Sequence, residues 1–193
     1  QDQIEAIILP KTQSFDFLAT LAPMIDFSNK LVPLIETPRA IDTVTQIAAF
    51  KDVVGLFFGA ADSSASLGCK LAWEPLLYAR QKVVLAAAMY NLFTIDAPFF
   101  YIDDKEGLKN EAEAVKNLGF TGKAAIHPDQ IDFINESFAP TSEEIAEGKK
   151  VLEEYQKSGG GAVKIDGQMV DEPIAEAMRL KISLGEEESE NKD

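Results

Sequence analysis

The chain has 193 residues, 46% hydrophobic and 26% charged, with a formal charge of −14 and a single cysteine, Cys69. That length supports one well-packed core plus an appendage, in the composition range of soluble globular proteins. The acidity argues against a nucleic-acid binder, which needs clustered Lys and Arg, and one cysteine rules out an internal disulfide or a thiolate metal cage.

In chain order, apolar runs of strand length occur at 4–9, 31–35, 53–58, 93–97 and 123–126, each followed by a polar or Pro/Gly turn and a helical pattern. Ile41, Val44, Ile47 and Ala48 fall on one face and predict a helix between Pro38 and Phe50. The apolar segment 71–90 reads as a helix packed into the body. Asp104, followed by Glu106 and Glu111 and then Ala112, Val115 and Leu118, predicts a capped amphipathic helix ended by Gly119. Strands alternating with helices imply a parallel sheet with crossover helices. Only about five strand–helix units are visible, so counting alone favours an open doubly wound sheet over an eight-stranded barrel.

After His127 the pattern changes. Thr141 starts a charged helix over 143–157, with Glu143 and Glu144 in its first turn. A glycine run at 159–161 reads as a hinge, and the apolar stretch 162–165 runs into the turn dipeptide Asp166-Gly167. A last helix is expected over 172–184, with Pro173 near its start. The expected organisation is a sheet domain over 1–140, a lid or oligomerisation segment over 141–185, and a disordered acidic tail over 186–193. No apolar run approaches the roughly 20 residues that span a bilayer, and no signal pattern opens the chain, so the expected location is cytoplasm or organelle matrix. A start at Gln1 rather than Met is expected of a processed or partial chain.

Ligands of parallel sheets bind at the carboxyl ends of the strands. Lys11, Glu36, Asp62, Asp96 and His127 all fall at or just beyond those ends. Glu36 and Asp62, on adjacent strand ends, can give a hard divalent cation two oxygen ligands and leave positions for water and substrate, as Mg²⁺ is usually held. Each can equally cap the following helix. Lys11 can meet an anionic substrate or stand as a solvated rim lysine. Asp96 can brace a loop, and a lone His127 is often a hydrogen-bonded structural group with no second His to complete a zinc site. Cys69 has no evident base nearby in sequence and reads as packed or surface.

Six strings taken together resemble the citrate lyase beta-subunit-like family, of the HpcH/HpaI aldolase superfamily. They are Leu34-Ile35-Glu36-Thr37-Pro38-Arg39-Ala40, the stretch 58–68 around Gly59-Ala60-Ala61-Asp62, Ala79-Arg80-Gln81-Lys82-Val83, Ala97-Pro98-Phe99, the stretch 119–128 ending Ile126-His127-Pro128, and Asp166-Gly167-Gln168-Met169-Val170-Asp171. The resemblance runs from Ile4 to about Leu184. It implies a TIM (β/α)₈ barrel lacking about its first three strand–helix units, with 4–9 as roughly the fourth strand and 123–126 as the eighth, plus a C-terminal helical lid. It implies Glu36 and Asp62 as Mg²⁺ ligands; Lys11, Asp96 and His127, placed at the same end of the sheet, are expected to bind substrate or cofactor. It also implies that Asp171 is a catalytic acid reaching the active site of a neighbouring subunit in a homo-oligomer, commonly a trimer. An N-cap before Pro173 is the other reading of Asp171.

The activity so implied is Mg²⁺-dependent cleavage, or the reverse condensation, of a hydroxyacyl-CoA thioester such as citramalyl-CoA or malyl-CoA, giving a 2-oxo acid and an acyl-CoA. The family's early substrate-binding Arg and Asp-x-Glu-Asp strand are missing, which suggests a piece of a longer protein. The competing readings are a class II aldolase on free hydroxy-oxo acids and a non-catalytic fragment or subunit.

Overall fold

The computed structural model describes residues 5–24, 30–159 and 161–190. Ile4, Gly160 and residues 191–193, which carried sequence expectations, lie outside them. Two compact units result, residues 1–134 and 135–193, a few residues short of the Thr141 boundary that the sequence suggested.

The first unit is a five-stranded parallel sheet: β1 (Ile7–Leu9), β2 (Leu31–Ile35), β3 (Gly55–Phe58), β4 (Phe93–Asp96) and β5 (Gly122–Lys123). The strand order is sequential, β1 to β5, so every crossover steps the same way. A doubly wound sheet reverses direction at a switch point, and the described strands show no reversal. The sequential order among the described strands thus lacks the feature that the open doubly wound alternative requires.

Parallel strands covered on both faces become near-continuous apolar runs. Leu31, Ile35, Leu56 and Phe58 are accordingly sealed from solvent. The covering helices are α1 (Phe15–Leu21), α2 (Pro38–Asp42), α3 (Val44–Ala48), α4 (Ala60–Leu67), α5 (Trp73–Met89) and α6 (Lys105–Leu118). α5 packs on β3 and β4 and against α3, burying Leu76, Val83 and Ala86. α6 is capped as expected: the Asp104 carboxylate accepts from Gly107 N at 2.8 Å, and Gly119 ends the helix at φ 107°.

The helix expected across 38–50 divides at Thr43 into α2 and α3. Thr43 Oγ1 bonds back to the Arg39 carbonyl at 2.9 Å, a back-bonding habit of threonine that bends helices. β5 is shorter than the expected 123–126, because the Ile126 amide turns to the Gln130 side chain at 3.0 Å instead of to β4.

The second unit contains α8 (Ser142–Lys157), the hairpin of β6 (Val163–Ile165) and β7 (Gln168–Val170), and α9 (Glu172–Glu190), while α7 (Ile131–Phe138) crosses the division. Thr141 and Glu144 form a reciprocal capping box at the head of α8. Asp166 and Gly167 both take positive φ, 49° and 91°, as a two-residue hairpin turn with the strands' twist requires. Val151, Tyr155, Ile165, Val170 and Ala175 form the core of this unit. α9 runs on to Glu190, so backbone 186–190 is helical where a disordered tail was expected. Glutamate is a good helix former, and here it extends a helix already nucleated. No described helix is long and apolar enough to cross a membrane.

Candidate functional site

Three consecutive strands deliver the site. β1 ends at Leu9, and Pro10-Lys11 turns the chain with Lys11 in the left-handed region at φ 54°. A non-glycine residue there costs roughly 1 kcal/mol and is kept only where contacts hold it. Two contacts do so: the Lys11 amide donates to Glu36 Oε1 at 2.8 Å, and its Nζ donates to Asp62 Oδ1 while lying 3.6 Å from Glu36 Oε1.

Glu36 follows the last residue of β2 and is only 3% exposed. The cap of α2 is Thr37, whose Oγ1 accepts from Ala40 N, so the Glu36 carboxylate is free to point inward. Asp62 stands in the first turn of α4, where the helix dipole favours an anion, and Gly59 takes the N-cap position. Gly59 also makes room for Glu36: a Cβ there would lie 2.6 Å from the Glu36 Cβ. The hydrogen bond from Lys11 holds the Asp62 carboxyl below the usual carboxylate range, against the opposing effect of burial. The same bond raises the Lys11 ammonium above an ordinary lysine.

Mg²⁺ suits this donor set. The two carboxylates converge on one cationic position, which the lysine nitrogen occupies. A hard cation needs one or two such oxygens beside water and substrate, whereas zinc and calcium sites recruit three or more protein ligands. Among the described residues no group of three or more His, Cys, Asp or Glu gathers in that way.

The remaining sequence candidates make contacts of their own. Asp96, expected near substrate, is fully buried at the end of β4 with both oxygens taken: Oδ1 by Arg80 Nε and Oδ2 by Lys123 Nζ, each at 2.8 Å. Its carboxylate is thus held by internal partners, in keeping with the bracing reading of Asp96. His127 heads a short 3-10 turn (Pro128–Gln130), its Nδ1 accepting from Asp129 N at 3.2 Å. Asp171 belongs to the second unit, between β7 and α9. Its carbonyl accepts from Ala175 N at 2.9 Å, and its Oδ1 lies 3.5 Å from Ile174 N, a long capping contact.

Arg80, Glu111, Lys123 and Gln130 were not singled out from sequence. Lys123 Nζ also reaches Glu111 Oε1 and the Ala97 carbonyl, and the Arg80 guanidinium lies over the rings of Phe58 and Trp73. Buried Gln130 ties the loops after β4 and β5, accepting from Ile126 N and donating to the Phe99 carbonyl at 2.9 Å. The signal for Arg80 was its place among Leu76, Val83 and Ala87 on the buried face of α5. A charge in an apolar stripe demands a buried partner.

Comparison with known proteins gives consistent results. Over 159 residues the chain is 34% identical to citrate lyase subunit beta of Haemophilus influenzae, covering 79% of this chain and 55% of that protein. Over 204 residues it is 31% identical to human mitochondrial citramalyl-CoA lyase, covering 93% and 59%. The chain thus spans little more than half the length of these relatives. CitE of Mycobacterium tuberculosis, solved with magnesium, acetoacetate and coenzyme A, superposes with a TM-score of 0.83 at 30% identity, over 94% of this chain and 68% of that one. RipC of Yersinia pestis matches with a TM-score of 0.70 at 43% identity, over 73% and 66%. Residues 2–128 match the family described as HpcH/HpaI aldolase/citrate lyase, and the chain belongs to that family.

Proposed function

We propose that this chain carries the metal-binding part of a Mg²⁺-dependent carbon–carbon lyase acting on a hydroxyacyl-CoA thioester, of the citramalyl- or malyl-CoA type, that releases a 2-oxo acid and an acyl-CoA. The observation that carries this reading is the convergence of Glu36 and Asp62 on one cation position at the carboxyl ends of β2 and β3. Relatives named citrate lyase subunit beta and citramalyl-CoA lyase support the reaction class. A CitE structure holding magnesium with coenzyme A supports the cofactor. On this reading the sequential parallel sheet is a segment of a TIM barrel, since that strand order is how a barrel is wound.

Glu36 and Asp62 would hold Mg²⁺, which when bound supplies Lewis-acid polarisation of the oxo acid's carbonyl and carboxylate. Cleavage breaks the bond between the carbinol carbon and the α-carbon of the thioester. The hydroxyl proton leaves as the 2-oxo acid forms, and the α-carbon gains a proton. Asp171, on the lid of a neighbouring subunit in a homotrimer, holds and delivers that proton. Lys11 faces the anionic substrate from the rim. Asp96 and Gln130 act indirectly, by fixing the ends and loops of β4 and β5.

Titration calorimetry with Mg²⁺, in the presence of pyruvate or oxaloacetate, tests the central assignment. Wild type is expected to bind and Asp62→Ala to lose binding. Equal binding by the two proteins refutes the assignment of Asp62 as a ligand.

A further inference from the structure

We propose that the Lys11 ammonium is a resident counter-cation that holds Glu36 and Asp62 together, is displaced when the divalent cation arrives, and couples metal binding to binding of the oxo acid. The inference rests on the metal reading above and concerns what this chain's own lysine does at that site.

The geometry sets up a competition. Lys11 Nζ bonds Asp62 Oδ1 and stands 3.6 Å from Glu36 Oε1, so it fills the position that the two carboxylates present to a cation. A Mg²⁺ bound to both carboxylates would sit about 2 Å from their oxygens, too close to the ammonium for both cations to remain. The lysine can leave without unfolding anything, because its side chain is 57% exposed and rides on a flexible stem. Its backbone cannot follow, since the Lys11 amide stays bonded to Glu36 at the left-handed turn. The displaced ammonium is therefore tethered beside the site.

Charge then links the two ligands. Two carboxylates and one ammonium leave a net negative site, attractive to the metal. Once the metal is bound and the tethered ammonium stays near, the site becomes net positive and attracts the carboxylate of a 2-oxo acid. Without the lysine charge, the metal-loaded site is neutral. The anion then gains less, and by linkage adds less to metal affinity.

The test is Mg²⁺ titration calorimetry on the whole chain, with and without pyruvate, for wild type, Lys11→Met, Lys11→Gln, Lys11→Arg and Asp62→Ala. Thermal unfolding of each variant confirms folding, and the two neutral variants back each other. Without pyruvate, Lys11→Met and Lys11→Gln are expected to bind Mg²⁺ about two- to fivefold more tightly than wild type, the worth of a solvent-exposed ion pair. Lys11→Arg keeps wild-type affinity. Pyruvate strengthens Mg²⁺ binding to wild type more than to the neutral variants. If the neutral variants bind no more tightly while Asp62→Ala abolishes binding, the counter-cation proposal is overturned and the metal site stands. If no variant binds Mg²⁺, both fall.

Discussion

Asp96→Ala offers a demanding test of how the sheet is braced beneath the site. The Asp96 carboxylate is fully buried and accepts charge-assisted hydrogen bonds from Arg80 Nε and Lys123 Nζ, each at 2.8 Å. Each such bond contributes roughly 1.5–3 kcal/mol. Lys123 would keep Glu111 and the Ala97 carbonyl at 2.6 and 2.7 Å, so its loss is partial. Arg80 fares worse: it is 3% exposed, and its Nη1 already lacks a hydrogen-bond partner. Its guanidinium keeps the faces of Phe58 and Trp73, which do not replace a carboxylate. The expected loss is about 3–5 kcal/mol, the usual result of stranding a buried charge. The double substitution Arg80→Met with Asp96→Leu removes the stranded charge along with its partner, and should recover most of that loss. Urea unfolding followed by the fluorescence of Trp73, the only tryptophan, reports on this unit directly. A loss under about 1 kcal/mol in Asp96→Ala, or a double variant no better than the single, would refute the charge-balance argument.

Gly59→Ala should move Glu36 rather than strain the backbone, because Gly59 has φ −101° and the new Cβ would meet Glu36 Cβ at 2.6 Å. Mg²⁺ affinity is expected to fall at least about tenfold, with a stability loss of roughly 1–3 kcal/mol from overpacking, read by calorimetry and urea unfolding. In the second unit, the hydrogen bond from Arg179 holds the Glu172 carboxyl below its ordinary value. Its contribution is thus present above the ordinary glutamate value, about pH 4.3, and fades as pH falls through the lowered one. Thermal unfolding against pH should show that loss in wild type and a flatter profile in Glu172→Gln.

Local chemistry was readable where it depended on neighbours in sequence. The Thr141 cap, the Asp166-Gly167 hairpin turn and the Gly119 stop each follow from a few adjacent residues, and each is found. Strand–helix alternation likewise placed Glu36 and Asp62 at strand ends, although it left capping and metal binding open. At 186–190 the composition suggested a solvated tail, whereas the backbone there continues α9. Arg80 and Lys123 carried a signal that went unused, a charge in an apolar setting. Their shared partner was not legible, since Asp96 lies 16 and 27 positions away.

The Lys11 contact lies beyond sequence reading for a specific reason. Lys11 is 25 positions from Glu36 and 51 from Asp62. Whether they meet depends on strand register: Leu9 opposite Pro33, and Ile35 opposite Phe58. A strand with alternating faces announces its register, because a slip by one residue would turn its apolar side outward. β2 is buried along most of its length, with Leu31, Val32, Pro33 and Ile35 all inside, so its pattern says little about alignment with β1 or β3. The contacts at the strand ends become visible only in three dimensions. Gly59 admits the Glu36 side chain, and Lys11, at a left-handed position, gives Glu36 its amide and Asp62 its ammonium. The ends of β1, β2 and β3 therefore meet through the residues proposed to hold the metal, contacts that follow from the register and that no local sequence pattern announces.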